Sequence, residues 1–186
     1  MKNFTIFLIA AILCIPTSGI LSDEEPDWRK QEQKEIPEGM KFYKEKYEEV
    51  FDAPFEDVWE AILSSVEERN CMVIRKNTRQ TDEGFFKGSI HSDFCVFATA
   101  TAEEKVQDSL KKYSLRVPFI RGGVFINGRM QYKFVVSEQE DGTVRVLLKG
   151  EVSGFEEHVT GQVHFWESNG YLETRMMENI RRKLQA

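Results

Sequence analysis

The chain has 186 residues, of which 41% are hydrophobic, and a formal net charge of -6. This length is enough for one domain with its own hydrophobic core. The acidic balance argues against binding to nucleic acid or to anionic lipid surfaces, because both repel a negatively charged chain.

The N-terminal segment 1–19 has the layout of a secretory signal peptide. Lys2 gives a positive start, Phe4–Ile15 is an almost unbroken apolar run, and Thr17–Gly19 supplies small residues at a cleavage site. The apolar run is shorter than the roughly 20 residues that span a bilayer. We therefore expect cleavage after Gly19 and a mature protein that is periplasmic or secreted.

Cys14 leaves two alternatives open for this segment. It could carry a lipid, which would make the protein a membrane-anchored lipoprotein, although the residues before it depart from the usual lipoprotein pattern. The segment could also stay uncut as an anchor. In each case the folded part faces away from the cytoplasm.

Residues 20–45 are charged and poor in aliphatic side chains, so they predict a flexible lead-in before a single domain over 46–186. Tyr47–Phe51 is the first strand candidate. Pro54–Arg69 is the strongest helix candidate, since Pro suits the first helical position. Its apolar residues recur on a 3.6-residue period and predict one buried face, formed by Phe55, Val58, Trp59, Ile62, Leu63 and Val66.

Two strands, Met72–Arg79 and Phe85–Ile90, flank a turn at Thr81–Gly84. Folding the chain back about this turn brings Cys71 close to Cys95, which predicts a disulfide in an exported protein. Two buried free thiols are the alternative.

The remaining elements follow from alternation, helical periodicity and turn residues. Glu140-Asp141-Gly142 is a hairpin signal, and Ser168-Asn169-Gly170 is a helix entry. The pattern predicts strands over 94–101, 113–119, 124–138 and 143–153, a short helix over 102–112 and a last helix over 170–184.

This order of elements resembles the helix-grip architecture, in which a curved antiparallel sheet wraps a long C-terminal helix. The START-like lipid-binding domains and the BamC-like domains of outer-membrane assembly lipoproteins share it. Phe51–Trp59 looks like the opening "apolar-x-Ala-Pro-x-x-x-Val-Trp" of that class, and Ser168–Glu173 is similar to small exported bacterial BamC-like proteins. The resemblance implies an α+β helix-grip fold over 46–186 and leaves the function open, because this architecture hosts binders, enzymes and scaffolds.

The sequence predicts no catalytic constellation, no metal site and no cofactor. His91, Asp93 and Cys95 alternate along one strand and could form a thiol–imidazole site, but a surface histidine beside a structural cysteine explains them better. Charged loop residues Glu156, Glu157 and His158 could meet a cation or be merely solvated. Gly122-Gly123 could approach a ligand beside Arg116, Arg121 and Arg129, or form a tight loop next to surface charges.

Aromatic and apolar side chains supply the strongest candidate ligand site. A gap between the sheet and the terminal helix would be an apolar cavity, and a filled core would use the same residues. The candidate lining residues are Trp59, Phe119, Tyr132, Phe134, Trp166 and Met176.

These observations favour an exported, non-enzymatic envelope protein that binds another protein or a peptide. A carrier of a small apolar ligand is the alternative, and an enzyme with its site in the cavity is a third hypothesis.

Overall fold

A computed structural model describes residues 41–99 and 105–185 of the chain. The predicted signal peptide, Cys14 and the lead-in up to residue 40 lie outside the described residues. Within them the elements, in chain order, are β1 (Tyr47–Phe51), α1 (Phe55–Glu67), β2 (Val73–Gln80), β3 (Phe86–Ser92), β4 (Cys95–Thr99), α2 (Val106–Tyr113), β5 (Asn127–Glu138), β6 (Val144–Glu156), β7 (Gln162–Trp166) and α3 (Tyr171–Leu184).

The fold is α+β, as predicted, with one seven-stranded antiparallel sheet and three described helices. The long strands β5 and β6 form its centre. Strands β1 and β7 both pair with β6, whereas β3 and β4 both pair with β5, and β2 lies outside β3 as an edge strand. All three described helices pack against the same face of this sheet.

Helix α1 forms where the apolar period predicts it. Its first turn carries Glu56 and Asp57, which the positive end of the helix dipole favours. Phe55, Val58, Ile62 and Val66 are buried in the main core, and the ring of Phe55 stacks on that of Trp59 with centroids 5.6 Å apart.

Helix α3 begins at a network of hydrogen bonds. Gly170 adopts a positive φ of 85°, which disfavours a side chain at this position. Asn169 Oδ1 accepts a hydrogen bond from Tyr171 N at 3.1 Å, and Asn169 Nδ2 donates to Lys112 O at 2.7 Å, so the helix entry is tied to the end of α2. The buried residues of α3 include Leu172, Met176 and Ile180, as the i+4 stripe predicts.

The predicted β2–β3 hairpin and its cysteine pairing are present. Thr81 N donates to Phe85 O at 2.8 Å and closes the turn. Cys71 and Cys95 form a disulfide with Cα atoms 4.9 Å apart, within the range that a disulfide requires. The bridge ties the start of β2 to the start of β4.

Two segments differ from the sequence prediction. The alternation over 113–119 does not form a strand: Tyr113 ends α2, and Ser114 makes only an isolated bridge to Ser168. Pro118 lacks the N–H that a ladder requires. Strand β7 was missed, although Val163 and Phe165 alternate with polar residues, because five residues next to a helix entry give a weak signal.

The main core lies between the sheet and helices α1 and α3. Its fully buried members from the sheet include Ile90, Phe134, Val146 and Val152, and they meet Ile180 from α3. A second, smaller cluster lies under α2 and contains Ala98, Val106, Leu110 and Phe125. In the described part of the chain, no helix combines the length and the apolar composition needed to span a membrane.

Candidate functional site

The six residues predicted to line an apolar cavity do not come together around one. Tyr132, Phe134 and Met176 are buried in the packed core, with at most 2% of their surface exposed. Phe119 is 90% exposed, so its placement in a cavity was wrong. It stands in the loop beside Pro118, where the predicted strand is absent and nothing turns the ring inward.

Trp59 and Trp166 are half-buried and occupy different places. Trp59 lies over Gly88 of β3, where a Cβ atom would sit only 2.6 Å from the ring. Trp166 donates a hydrogen bond from Nε1 to Ser114 Oγ at 2.7 Å. Of the six candidates, Tyr132, Phe134 and Met176 belong to a filled core, which is the alternative that the sequence left open.

The polar residues singled out in the sequence also separate. Cys95 is bonded to Cys71, so no thiolate is available to His91. Arg129 lies 4.9 Å from the centre of the Phe94 ring, while Arg116 and Arg121 are exposed in the α2–β5 loop. Over the ranges 41–99 and 105–185, no group of three or more histidine, cysteine or acidic side chains is placed to hold a metal ion.

Glu156 is fully buried and belongs to an internal network. Its carboxylate accepts hydrogen bonds from the backbone N–H groups of Val124, at 3.1 Å, and His158, at 2.7 Å, and also from those of Val159 and Thr160. Burial raises the pKa of this carboxyl, but the hydrogen bonds from Thr160, Val159 and His158 outweigh it and hold the pKa well below its usual range. Because its oxygens are engaged by donors, the carboxylate fixes the turn after β6 and does not form a cation site with Glu157.

The outer face of the sheet, opposite the helices, carries a concentration of positive charge. Residues that pair directly across antiparallel strands have side chains on the same face. The inward row Ile90, Phe134 and Leu148 is buried, so the neighbouring rows point outward. Six of the outward basic residues, called here the basic face, are Arg75, Arg79, Lys87, Lys133, Arg145 and Lys149. A seventh, Arg129, lies near the start of β5 beside the Phe94 ring.

Two acidic side chains lie among the paired outward positions. Glu151 contacts Lys133 at 3.0 Å, and Glu48 lies 3.6 Å from Arg145. Six basic and two acidic side chains therefore share this face, in a chain whose overall charge is -6. Such a local field attracts a negatively charged partner despite the net charge of the molecule.

The centre of the basic face is apolar. Val135 and Leu147 are direct neighbours on β5 and β6, and Val135 is 53% exposed. Ser89 pairs with Val135 on the other side, and its hydroxyl donates to Asn77 Oδ1 at 2.6 Å. An apolar centre surrounded by charged and hydrogen-bonding groups is the usual arrangement of a protein-binding surface.

Two clefts on the described part of the chain lie at the margins of the sheet, next to helices. One, of about 340 Å³, lies between the end of α1 and the start of β2, and Leu63, Glu67, Val73 and Ile74 contribute to its lining. The other, of about 360 Å³, lies between the residues before β1, strand β6 and the start of α3.

The second cleft contains a buried acid, Glu173, which is 2% exposed. Burial raises the pKa of its carboxyl, while a hydrogen bond donated by Ser168 Oγ at 2.7 Å acts in the opposite direction. Its carboxyl lies against Gly150, where a Cβ atom would approach Glu173 Oε1 to 2.4 Å. Tyr47 closes the adjacent wall, and its hydroxyl donates to Phe42 O at 3.3 Å.

Sequence reasoning missed the basic face, since Arg75, Lys133 and Lys149 are far apart in the chain and only the strand register brings them together. No family model, no curated protein and no solved structure matches this chain.

Proposed function

We propose that this chain is an exported, non-enzymatic binding protein of the cell envelope, periplasmic or secreted, which recognises an acidic segment of another protein. The observation that carries this proposal is the basic face, a sheet surface that no described helix covers, with six basic side chains in an acidic chain. Val135 and Leu147 at its centre favour a protein partner over a purely ionic one, since they offer apolar contact area.

The test uses a fluorescein-labelled ten-residue peptide, called here the acidic peptide, which alternates glutamate with threonine and valine and carries one leucine. Binding is followed by fluorescence anisotropy at low and moderate ionic strength. We expect saturable binding that weakens with salt, because exposed charge pairs are screened. A peptide with lysine in place of every glutamate should not bind.

A matched pair of variants locates the site. The triple variant Arg75→Glu, Arg79→Glu and Lys87→Glu reverses exposed charges on the β2–β3 side of the basic face. We expect its Kd for the acidic peptide to rise by at least about tenfold, since like charges then oppose the peptide. The control variant reverses three exposed charges elsewhere, Lys111→Glu, Arg116→Glu and Arg121→Glu, and should bind nearly as well as the unchanged protein. Equal losses in both variants would mean that net charge alone governs binding, and the proposal would fall.

We also propose that the domain is a helix-grip domain related to the START-like and BamC-like class. The support is the order of its elements, with a helix after the first strand and a long last helix whose buried side meets the sheet. A crystal structure in which the sheet does not curve around α3 would overturn this assignment.

A carrier of a small ligand with an apolar part is the second candidate function. The cleft at the start of α3 favours it, because Tyr43, Tyr47 and Leu147 line it beside the buried Glu173. Native mass spectrometry of protein purified from its own host would detect such a ligand. Loss of the bound mass in a Tyr43→Ala variant, which removes a partly exposed ring from the lining of this cleft, would assign the site.

A further inference from the structure

The edge strand β2 is the most exposed element of the sheet. It follows β3 at the end of the strand order, and seven of its eight residues are exposed. Within the described residues its second edge pairs with no other strand. Such an edge presents a row of backbone N–H and C=O groups that can pair with another chain.

The hydrogen bond at the hairpin turn identifies the backbone groups of β2 that point away from β3, toward the free edge. Thr81 N donates to Phe85 O at 2.8 Å, so the backbone groups of residue 81 face β3. Because the direction alternates along an antiparallel strand, Arg79 and Asn77 also face β3. The backbone groups of Lys76, Thr78 and Gln80 therefore point away from the sheet.

A cleft large enough to accept a side chain lies beside the same strand. The cleft of about 340 Å³ between α1 and β2 has Leu63 on the helix side and Val73 on the strand side. Met72 and Ile74, at 70% and 59% exposed, stand at its border. A ligand that runs along β2 could place one apolar side chain in this cleft.

The charge of the strand defines the remaining chemistry. Arg75, Lys76 and Arg79 are exposed, and β2 contains no acidic residue. Glu67 is the one acidic member of the cleft lining, on the α1 side. The edge is thus complementary to an extended segment that has acidic residues along most of its length and an apolar residue at one end.

We propose that the partner segment binds as an additional strand along β2, with one apolar side chain in the cleft between α1 and β2. This inference rests on the proposed function, since it places the acidic segment at the β2 margin of the basic face, next to Arg75 and Arg79. The Cys71–Cys95 bridge ties the start of β2 to β4. The edge is therefore preformed, which lowers the ordering cost of binding.

The first test is a substitution that removes one backbone N–H at the free edge of β2. Thr78→Pro deletes the outward donor and adds a ring at the edge, a position where proline costs no bond to β3. We expect its Kd for the acidic peptide to rise by at least about tenfold, whereas Thr78→Val, which keeps the N–H, should bind like the unchanged protein. Thermal melts of both variants check that they are folded. Equal binding by Thr78→Pro would overturn the proposal.

The second test leaves the protein unchanged and alters the acidic peptide. One version is N-methylated on its odd-numbered residues and another on its even-numbered residues. Strand addition uses the N–H groups of only one set, so one version should lose binding and the other should keep it.

The outcomes separate the two proposals. If both methylated peptides bind as well as the parent and the basic-face variant still loses binding, strand addition is wrong and the proposed function stands. If the parent peptide does not bind the unchanged protein at all, both proposals fail.

Discussion

In two buried glutamates of this protein, the carboxyl pKa values are shifted in opposite directions. Glu156 receives several N–H donors, which keep the pKa of its carboxyl low, whereas burial raises the pKa of the Glu173 carboxyl. The first is stabilised as a carboxylate and the second as a neutral acid. Their contributions to stability should therefore depend on pH in opposite directions.

We expect Glu156→Gln to lower the thermal unfolding midpoint by several degrees at pH 7. Its amide NH2 would face the N–H groups of Val124, His158 and Val159, which need an acceptor. The stabilisation by the carboxylate is present above the ordinary pKa of 4.5 and is lost as the pH falls below it, so the difference from the unchanged protein should narrow in acid. Glu157→Gln, at an exposed neighbour, is the control and should change little. A midpoint difference that is constant with pH would contradict this account.

We expect the Glu173→Gln variant to fold and to lose the part of the pH dependence of stability that Glu173 causes. The folded state holds the Glu173 proton more tightly than the unfolded state, so the stability of the unchanged protein should fall as the pH rises above 4.5. Glutamine mimics the neutral acid and can still accept the hydrogen bond from Ser168 Oγ. Thermal melts between pH 4 and 8 should show equal midpoints in acid and a higher midpoint for the variant at pH 8. Glu178→Gln, exposed on the same helix, is the matched control, and a large loss of stability in the Glu173 variant at pH 8 would refute the prediction.

The role of Glu156 could not be read from the sequence. A glutamate followed by Glu157 and His158 has the composition of a solvated loop or a cation site. Only the turn geometry aims several N–H groups at one carboxylate, and that geometry depends on the pairing of β6 with β7. The disulfide was different, since hairpin register is a local property that the turn at Thr81–Gly84 already specifies.

At the scale of elements, α3 is expected to hold the domain together. Ile180→Ala removes a fully buried side chain from the main core and should lower the free energy of unfolding by about 2–5 kcal/mol. Arg181→Ala removes an exposed ion pair with Glu49 and should cost about 0–1 kcal/mol. Chemical denaturation of both variants gives the comparison. Small and equal effects would mean that α3 is peripheral, and the helix-grip assignment would fall with it.

Strongly periodic elements were predictable, and ambiguous ones were not. Helices α1 and α3 and the β5–β6 pair lie within a few residues of their predicted bounds. Over residues 113–119 the apolar alternation was real, but α2 continues through Tyr113, and the segment after it contributes only scattered contacts to the smaller cluster through Val117 and Ile120. Packing decided the outcome there, and a pattern of alternation does not contain that information.

At the scale of the whole molecule, export remains a prediction. Processing of the N-terminus should leave a mature protein that begins at or near Ile20, because segment 1–19 has the order of a signal peptide. N-terminal sequencing and intact mass of protein from its own host would check this. A start at a lipid-modified Cys14 would replace it with the lipoprotein alternative, and an intact Met1 would contradict both.

The basic face has a consequence for how the molecule orients. Because the basic face concentrates six basic side chains on one side of the sheet, we expect the described domain to turn this side toward a negative surface. A protein with a pI near 5.3 would ordinarily pass through a cation exchanger at neutral pH. We expect this protein to be retained there by its basic face, with the described helices on the side away from the resin.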